Sequence, residues 1–254
     1  MRTLLLLAAL PLTATACTIV PHELSPPTIQ RPSISSNTAT TVPGQVDFEG
    51  GITGGDGWEV PAALRWGSGP NIETFLEFEA WRHRSTGEGV GDFAVGVRHR
   101  FAEDAETGKS YAYQLRTKVP TASATKGLGS GDTDFDVAGI MDWTQGGRPY
   151  TAFYSLGLLG TPGPSTGDIK HTLALASAVE LEGSWDGAWE VAGLYAPNAS
   201  VSEIVVTLAG TYQVAPLAVF DVGVQVGIGG SARDPLFFVG IGRALGRLIA
   251  PTAR

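Results

Sequence analysis

Three aspartates at alternate positions, Asp132, Asp134 and Asp136 in GSGDTDFDVAG, are the nearest approach to a metal-binding run in this chain. A calcium loop of the EF-hand type also needs a glycine and a closing glutamate at fixed offsets, and neither is present. The alternation is instead that of a strand whose acidic side chains share one face. Hydrolytic chemistry needs a histidine base against a serine nucleophile. His99 and His171 fall in strand-like segments, with Ser155 or Ser177 as candidate partners, but no motif surrounds them. Gly127-Leu128-Gly129-Ser130-Gly131 is followed by neither Lys-Ser/Thr nor a helical pattern, so it is loop punctuation rather than a phosphate cradle. The sequence predicts no catalytic residues, no metal and no cofactor.

What remains is charge in alternation. Glu73, Glu77 and Glu79 share a parity, as do Arg98 and Arg100 with Asp92, Gln114 with Arg116 and Lys118, and Asp134 with Asp136; Glu190 stands in a later segment of the same kind. Neighbouring strands lie about 4.8 Å apart, so these groups would meet as a ladder. If they line a barrel lumen, two readings stand open. One is a constriction that selects solutes by an internal field; the other is a mutually neutralising ladder that fills a narrow barrel.

The elements that position these groups follow from a period of two that begins at Gly44 and holds almost to the C-terminus. The clearest segment sets Tyr111, Tyr113, Leu115, Thr117 and Val119 against Ala112, Gln114, Arg116 and Lys118. Another sets Phe220, Val222, Val224, Val226 and Ile228 against Asp221, Gly223, Gln225 and Gly227. About twelve such segments can be counted, an even number as expected of single-chain outer-membrane barrels. Trp58, Trp66, Trp143, Trp185, Tyr111, Tyr195 and Tyr212 sit near segment ends on the apolar side, as aromatic belts do. Short connections such as Gln145 to Arg148 alternate with long ones such as Thr121 to Gly131, with Glu103 to Gly108 as the exception. The fold class expected is all-β, a transmembrane antiparallel up-and-down barrel of about twelve strands spanning residues 44–246.

Composition agrees. Glycine is abundant at 34 of 254 residues, and the charged fraction of 17% lies below the roughly 25% of soluble domains. After the N-terminus no apolar run reaches the roughly 18 residues of a membrane-spanning helix. A net charge of −8 without a basic patch excludes nucleic acid as a partner. MRTLLLLAALPLTATAC reads as an export signal over residues 1–16, with Ala14-Thr15-Ala16 marking cleavage before the single cysteine. Cys17 is then either a lipidated N-terminus or an incidental thiol. Residues 17–43, rich in Pro, Ser and Thr, read as an extended periplasmic tail, and residues 247–254 as a C-terminal tail.

GVGDFAVGVRHRF (Gly89 to Phe101) and KVPTASATKGLGSGDTDFDVAG (Lys118 to Gly139) resemble the family named for the MetA pathway of phenol degradation, a group of outer-membrane barrels. The resemblance runs from about Gly50 to Leu245 as spaced strands, but its distinctive motifs occupy only about fifty residues. Two departures stand out: Pro120-Thr121-Ala122 where the family has Pro-Thr-Gly, and an end in LGRLIAPTAR instead of a terminal aromatic. The resemblance implies an integral outer-membrane channel for small molecules, aromatic or hydrophobic ones among them, with lipids, a small solute and the barrel-assembly machinery as partners. The alternatives are a non-transport structural barrel and a secreted lipoprotein with a soluble β-sandwich.

Overall fold

The period of two resolves into strands. The computed structural model describes residues 18–20, 24–30, 33–55, 57–160, 168–181, 183–196, 201–229 and 234–249. Cys17 and the export signal lie outside the described residues. Twelve long strands form the wall: β2 (Gln45–Gly55), β3 (Gly57–Gly69), β4 (Ile72–Arg84), β6 (Phe93–Asp104), β7 (Lys109–Val119), β8 (Asp134–Gln145), β9 (Arg148–Leu159), β10 (Asp168–Glu180), β11 (Trp185–Ala196), β12 (Val201–Ala215), β13 (Ala218–Ile228) and β14 (Leu236–Ile249). Each pairs antiparallel with its neighbour in sequence, and β14 closes the ring on β2 from Phe237↔Gly54 to Arg247↔Gln45. The protein is therefore a closed twelve-stranded antiparallel barrel. Two short strands are added to it: β1 (Thr18–Val20) on the end of β14, and β5 (Gly87–Gly89) on the end of β4. Among the described residues no helix is long and apolar enough to cross a membrane.

Closure decides which parity faces where. Leu173, Phe237, Leu208 and Val137 point outward and are more than half exposed, while Arg65, Glu73, Arg98 and Glu49 point inward and are buried. This inverts the usual soluble pattern. The tryptophans and tyrosines expected at segment ends stand there on the outside. Trp58 and Tyr195 mark one end; Trp66, Tyr111, Trp143, Trp185 and Tyr212 mark the other, where Trp143 stacks on Tyr150 at 5.4 Å and Trp185 lies 5.0 Å from Tyr212.

The two ends differ in their connections. At the end holding Trp143 the turns are tight: Gly146 and Gly147 both have positive φ (58° and 78°) between the paired Gln145 and Arg148. Two left-handed residues are what a two-residue hairpin of matching twist demands. At the opposite end the loop after β7 folds inward. Its buried Leu128 presents a carbonyl to Arg82 Nη1 at 3.0 Å, and Asp92 accepts from the backbone N–H of Ala122 at 2.9 Å.

The Pro/Ser/Thr-rich leader departs from the expected extended tail. Residues 24–30 and 33–43 enter the short-turn end of the barrel and run around its inner wall as a strap. The physical reason is hydrogen bonding: these residues carry hydroxyls and backbone amides without a ladder of their own, and the wall offers inward carboxylates. The last strand also continues through residues 247–249, where β1 and β2 flank it, so the wall reaches beyond residue 246.

Gly147→Val should strain the two-residue turn by roughly 1–2 kcal/mol, because a branched side chain at positive φ meets its own carbonyl. A lowered urea midpoint for barrel unfolding, followed by heat-modifiable gel migration, is the expected result.

Candidate functional site: the barrel lumen

The inward positions converge on a lumen with two chemically different sides. Strands β2 to β8 carry most of the paired ions. Arg65 is at the centre: its Nε donates to Glu49 at 2.7 Å, Nη1 to Glu73 at 3.2 Å, and Nη2 lies 3.7 Å from Glu77. Its guanidinium also sits 5.5 Å over the ring of Phe75. Arg98, wholly buried, donates to Gln114 Oε1 from Nε at 3.1 Å and from Nη2 at 2.9 Å, and lies 3.6 Å from Glu73. Arg116 bridges Glu77 at 2.8 Å and Asp136 at 3.3 Å. Lys118 pairs with Asp134 and donates to Ser130 Oγ at 2.5 Å, while Lys170 lies 3.8 Å from Asp136.

Buried charges of this kind are tolerable only when paired and hydrogen-bonded. The arrangement achieves that by register. Glu73 lies directly opposite Arg98, Arg98 opposite Gln114, Arg116 opposite Asp136 and Lys118 opposite Asp134. Three of the residues singled out in the sequence lie away from this ladder. Arg100 binds Asn71 Oδ1 at 2.8 Å at the short-turn rim; Glu79 pairs with Arg82 toward the other end; Asp92 organises the inward loop.

The other side, β7 to β11, is apolar and small. Ala112, Ala138, Ile140, Phe153, Ala174 and Ala192 form a buried cluster, and Ile34 of the strap and Leu194 pack against it. Inside a barrel such a patch needs a cover, and the strap supplies one. On either side of Ile34 its neighbours bind the inward carboxylate of Glu190. Ile34 N donates at 2.9 Å, Ser35 N at 2.8 Å and Ser33 Oγ at 2.6 Å, with Ser35 Oγ as a fourth donor. Further along, Thr38 donates to Asp142 from N at 2.8 Å and from Oγ1 at 2.6 Å. The carbonyl of Ala39 accepts from Arg98 at 2.9 Å, and Thr41 donates to Glu73 at 3.0 Å and 2.9 Å. At Gly67 the backbone passes so close that a Cβ would lie 2.1 Å from the Val42 carbonyl oxygen.

Sequence reasoning placed Glu190 in the lumen but had no partner for it, and it missed the strap altogether. Arg65 and Glu49 have the right parity and were left out of the ladder, although one more strand of register would have included them. The outward His171 meets Tyr154 Oη at 3.0 Å and His99 meets Tyr113 Oη at 3.3 Å. Ser155 faces the opposite side of the wall from His171, and Ser177, six residues on, donates to the Pro149 carbonyl at 2.8 Å. Among the described residues no group of His, Cys, Asp or Glu is arranged to hold a metal ion.

A closed wall of twelve strands with its charges turned inward defines the class: an up-and-down antiparallel β-barrel. Solved structures of similar fold include the COG4313 outer membrane channel from Pseudomonas putida F1, with a TM-score of 0.64 at 8% identity over 84% of this chain and 100% of that one. The NanC porin gives 0.58 at 12% identity over 78% and 98%, and the KdgM porin gives 0.55 at 8% identity over 78% and 98%. No protein-family model and no curated protein matches the chain.

Glu190→Ala should leave four strap donors unmatched in a buried setting. At about 1 kcal/mol each that would free the strap locally, so amide exchange at residues 33–35 should accelerate by at least tenfold while the wall strands keep their protection. Arg65→Met should cost more, roughly 3–5 kcal/mol, since Glu49, Glu73 and Glu77 would lose the cation they share in a buried setting; a fall in the urea midpoint measures it.

Proposed function

We propose that this protein is an integral outer-membrane channel for the passive passage of small molecules, with the strap setting the width of its short-turn end. One observation supports it above the others: the barrel is closed, with its apolar parity outside and its charges inside. Such a wall suits hydrocarbon on the outside and water within, because closure pairs every wall strand with a neighbour on both sides and leaves no open sheet edge. The two aromatic girdles match the places where a bilayer turns from acyl chain to headgroup. A soluble sandwich would seal its apolar faces between two sheets, and here Leu173 is 63% exposed.

The solved barrels of similar fold include proteins whose names call them porins and a channel, which supports transport over a purely structural role. The idea of an aromatic or hydrophobic solute rests on the resemblance to the phenol-pathway barrels. Within the lumen it has one local support, the apolar cluster around Phe153 and Ile140. On this reading the N-terminus and the short turns face the periplasm, the charged ladder holds the wall in shape, and the lumenal space left beside it is the path.

Reconstituted into planar bilayers, the purified barrel should give small, discrete conductance steps, and liposomes containing it should swell in small neutral solutes. Absence of both, with correct insertion shown by heat-modifiable migration, would reject the channel. The outer face has its own test. Leu173→Arg should lower stability in lipid by about 2–4 kcal/mol if that position lies near the bilayer midplane, and should be nearly silent if the outside is water.

A further inference from the structure

The lumen's open space is not shared evenly between its two sides. The described basic side chains that point into the middle of the barrel, Arg65, Arg98, Arg116, Lys118 and Lys170, are all engaged with carboxylates. The first four and their partners fill the β2 to β8 side, and Lys170 reaches toward it from β10 to meet Asp136. A cavity of about 710 Å³ lies on the other side, between the strap and the inner face of β8 to β13 at the short-turn end. That volume falls in the range of small-molecule sites. Its carboxylates are Asp142, Asp186 and Glu190, and no described Lys, Arg or His lines it. Between the acids stand Ala176, Ala188, Ala209 and the strap's Pro27 and Ile29, which give the chamber apolar stretches among neutral hydroxyl and amide side chains such as Thr151, Thr207 and Gln213.

Two further observations say what kind of group the chamber receives. The first is the strap itself: a carboxylate beside an apolar patch takes four N–H and O–H donors at Glu190 while an isoleucine fills the patch. A donor-bearing head on an apolar body is the pattern already seated there. The second lies at the rim. Asp186 is paired across the strands with Glu180, two carboxylates directly opposite each other on the inward face. Like charges in that position are destabilising. No hydrogen bond or ion pair compensates either one among the described residues, so the entrance keeps a negative potential that a cation would relieve.

We propose that this chamber is a selectivity site for organic cations with an apolar body, such as an arylalkyl ammonium, and that Asp186 with Glu180 draws them in. The proposal rests on the channel reading for its role in transport, but binding itself does not. Benzyltrimethylammonium, benzenesulfonate and benzyl alcohol present similar rings with positive, negative and no charge. Titrated calorimetrically into the full-length barrel in detergent, the ammonium should bind saturably and the sulfonate should not. Asp186→Asn should weaken the ammonium about fivefold, the scale of one partly screened charge pair. Equal binding of all three probes, preference for the sulfonate, or an unchanged affinity in Asp186→Asn would each overturn the assignment. Because Asp186 makes no side-chain hydrogen bond or ion pair within the described residues, its replacement leaves the strap anchored and the wall's pairings in place. In bilayers under a KCl gradient the reversal potential should show cation preference that falls in the same variant, and anion preference would refute it. A barrel that binds the ammonium without conducting would remove the channel reading and leave the binding site standing.

Discussion

The pairing of β14 with β2 is the constraint on which everything else depends. An open sheet of eleven pairings would expose an edge of unsatisfied N–H and C=O groups, with its two faces free to seek other cover. Ten residue pairs between Phe237↔Gly54 and Arg247↔Gln45 remove that edge. Once the ring is shut, inside and outside are no longer interchangeable. Each strand's two parities are assigned at a stroke, and a slip of one residue anywhere would carry arginines outward and leucines inward. The sequence can therefore carry full charges such as Arg98 at zero exposure, because closure guarantees that their opposite numbers on the next strand point the same way.

Closure also creates a problem that the interior must solve. Twelve strands enclose more space than the inward side chains fill unaided. One side solves it with length: arginine, glutamate and glutamine side chains reach across and pair. The other side has alanines, which reach nowhere, and there the chain's own N-terminal segment supplies the missing volume. Ile34 covers the apolar cluster and Glu190 anchors the residues flanking it. The division of labour is visible in the residue types. Where the wall is ionic the strap contributes little bulk, a carbonyl to Arg98 and a threonine to Glu73; where the wall is small it contributes a side chain.

Much of this was legible before any coordinates. A period of two is a local property, so the strands, their outward residues and the aromatic ends could be read from position alone. The ladder from Glu73 through Arg98 and Arg116 to Asp136 needed only the further rule that sequential strands are neighbours. What could not be read is whatever depends on residues far apart in the chain without periodicity. Ser35 and Glu190 are separated by 155 positions, and nothing in a Pro/Ser/Thr-rich run announces that its hydroxyls have carboxylate partners. Composition alone made residues 17–43 look like a solvated tail. The same blindness hid the inward turn of the loop at Leu128, whose burial is fixed by Arg82 and the β5 hairpin rather than by its own sequence.

The strap's partners also dictate when it can bind. Glu49, Glu73, Arg98, Ser110, Asp142 and Glu190 belong to β2, β4, β6, β7, β8 and β11, so no part of the wall shorter than the nine strands from β2 to β11 contains the whole site. The strap cannot be ordered early in assembly, although it lies early in the chain. Its tether fixes the geometry of arrival: Pro43 bridges to Gly67, and β2 begins two residues later, at the short-turn end. From that end residues 33–41 can sweep in once the ring exists, at an effective concentration set by a leash of only a few residues. A segment that docks late, through hydrogen bonds to side chains rather than a backbone ladder, is also the part of the lumen that opens at least cost. The wall and its charged ladder stand as one cooperative unit, and the strap forms a second and weaker one bounding the chamber beside Glu190.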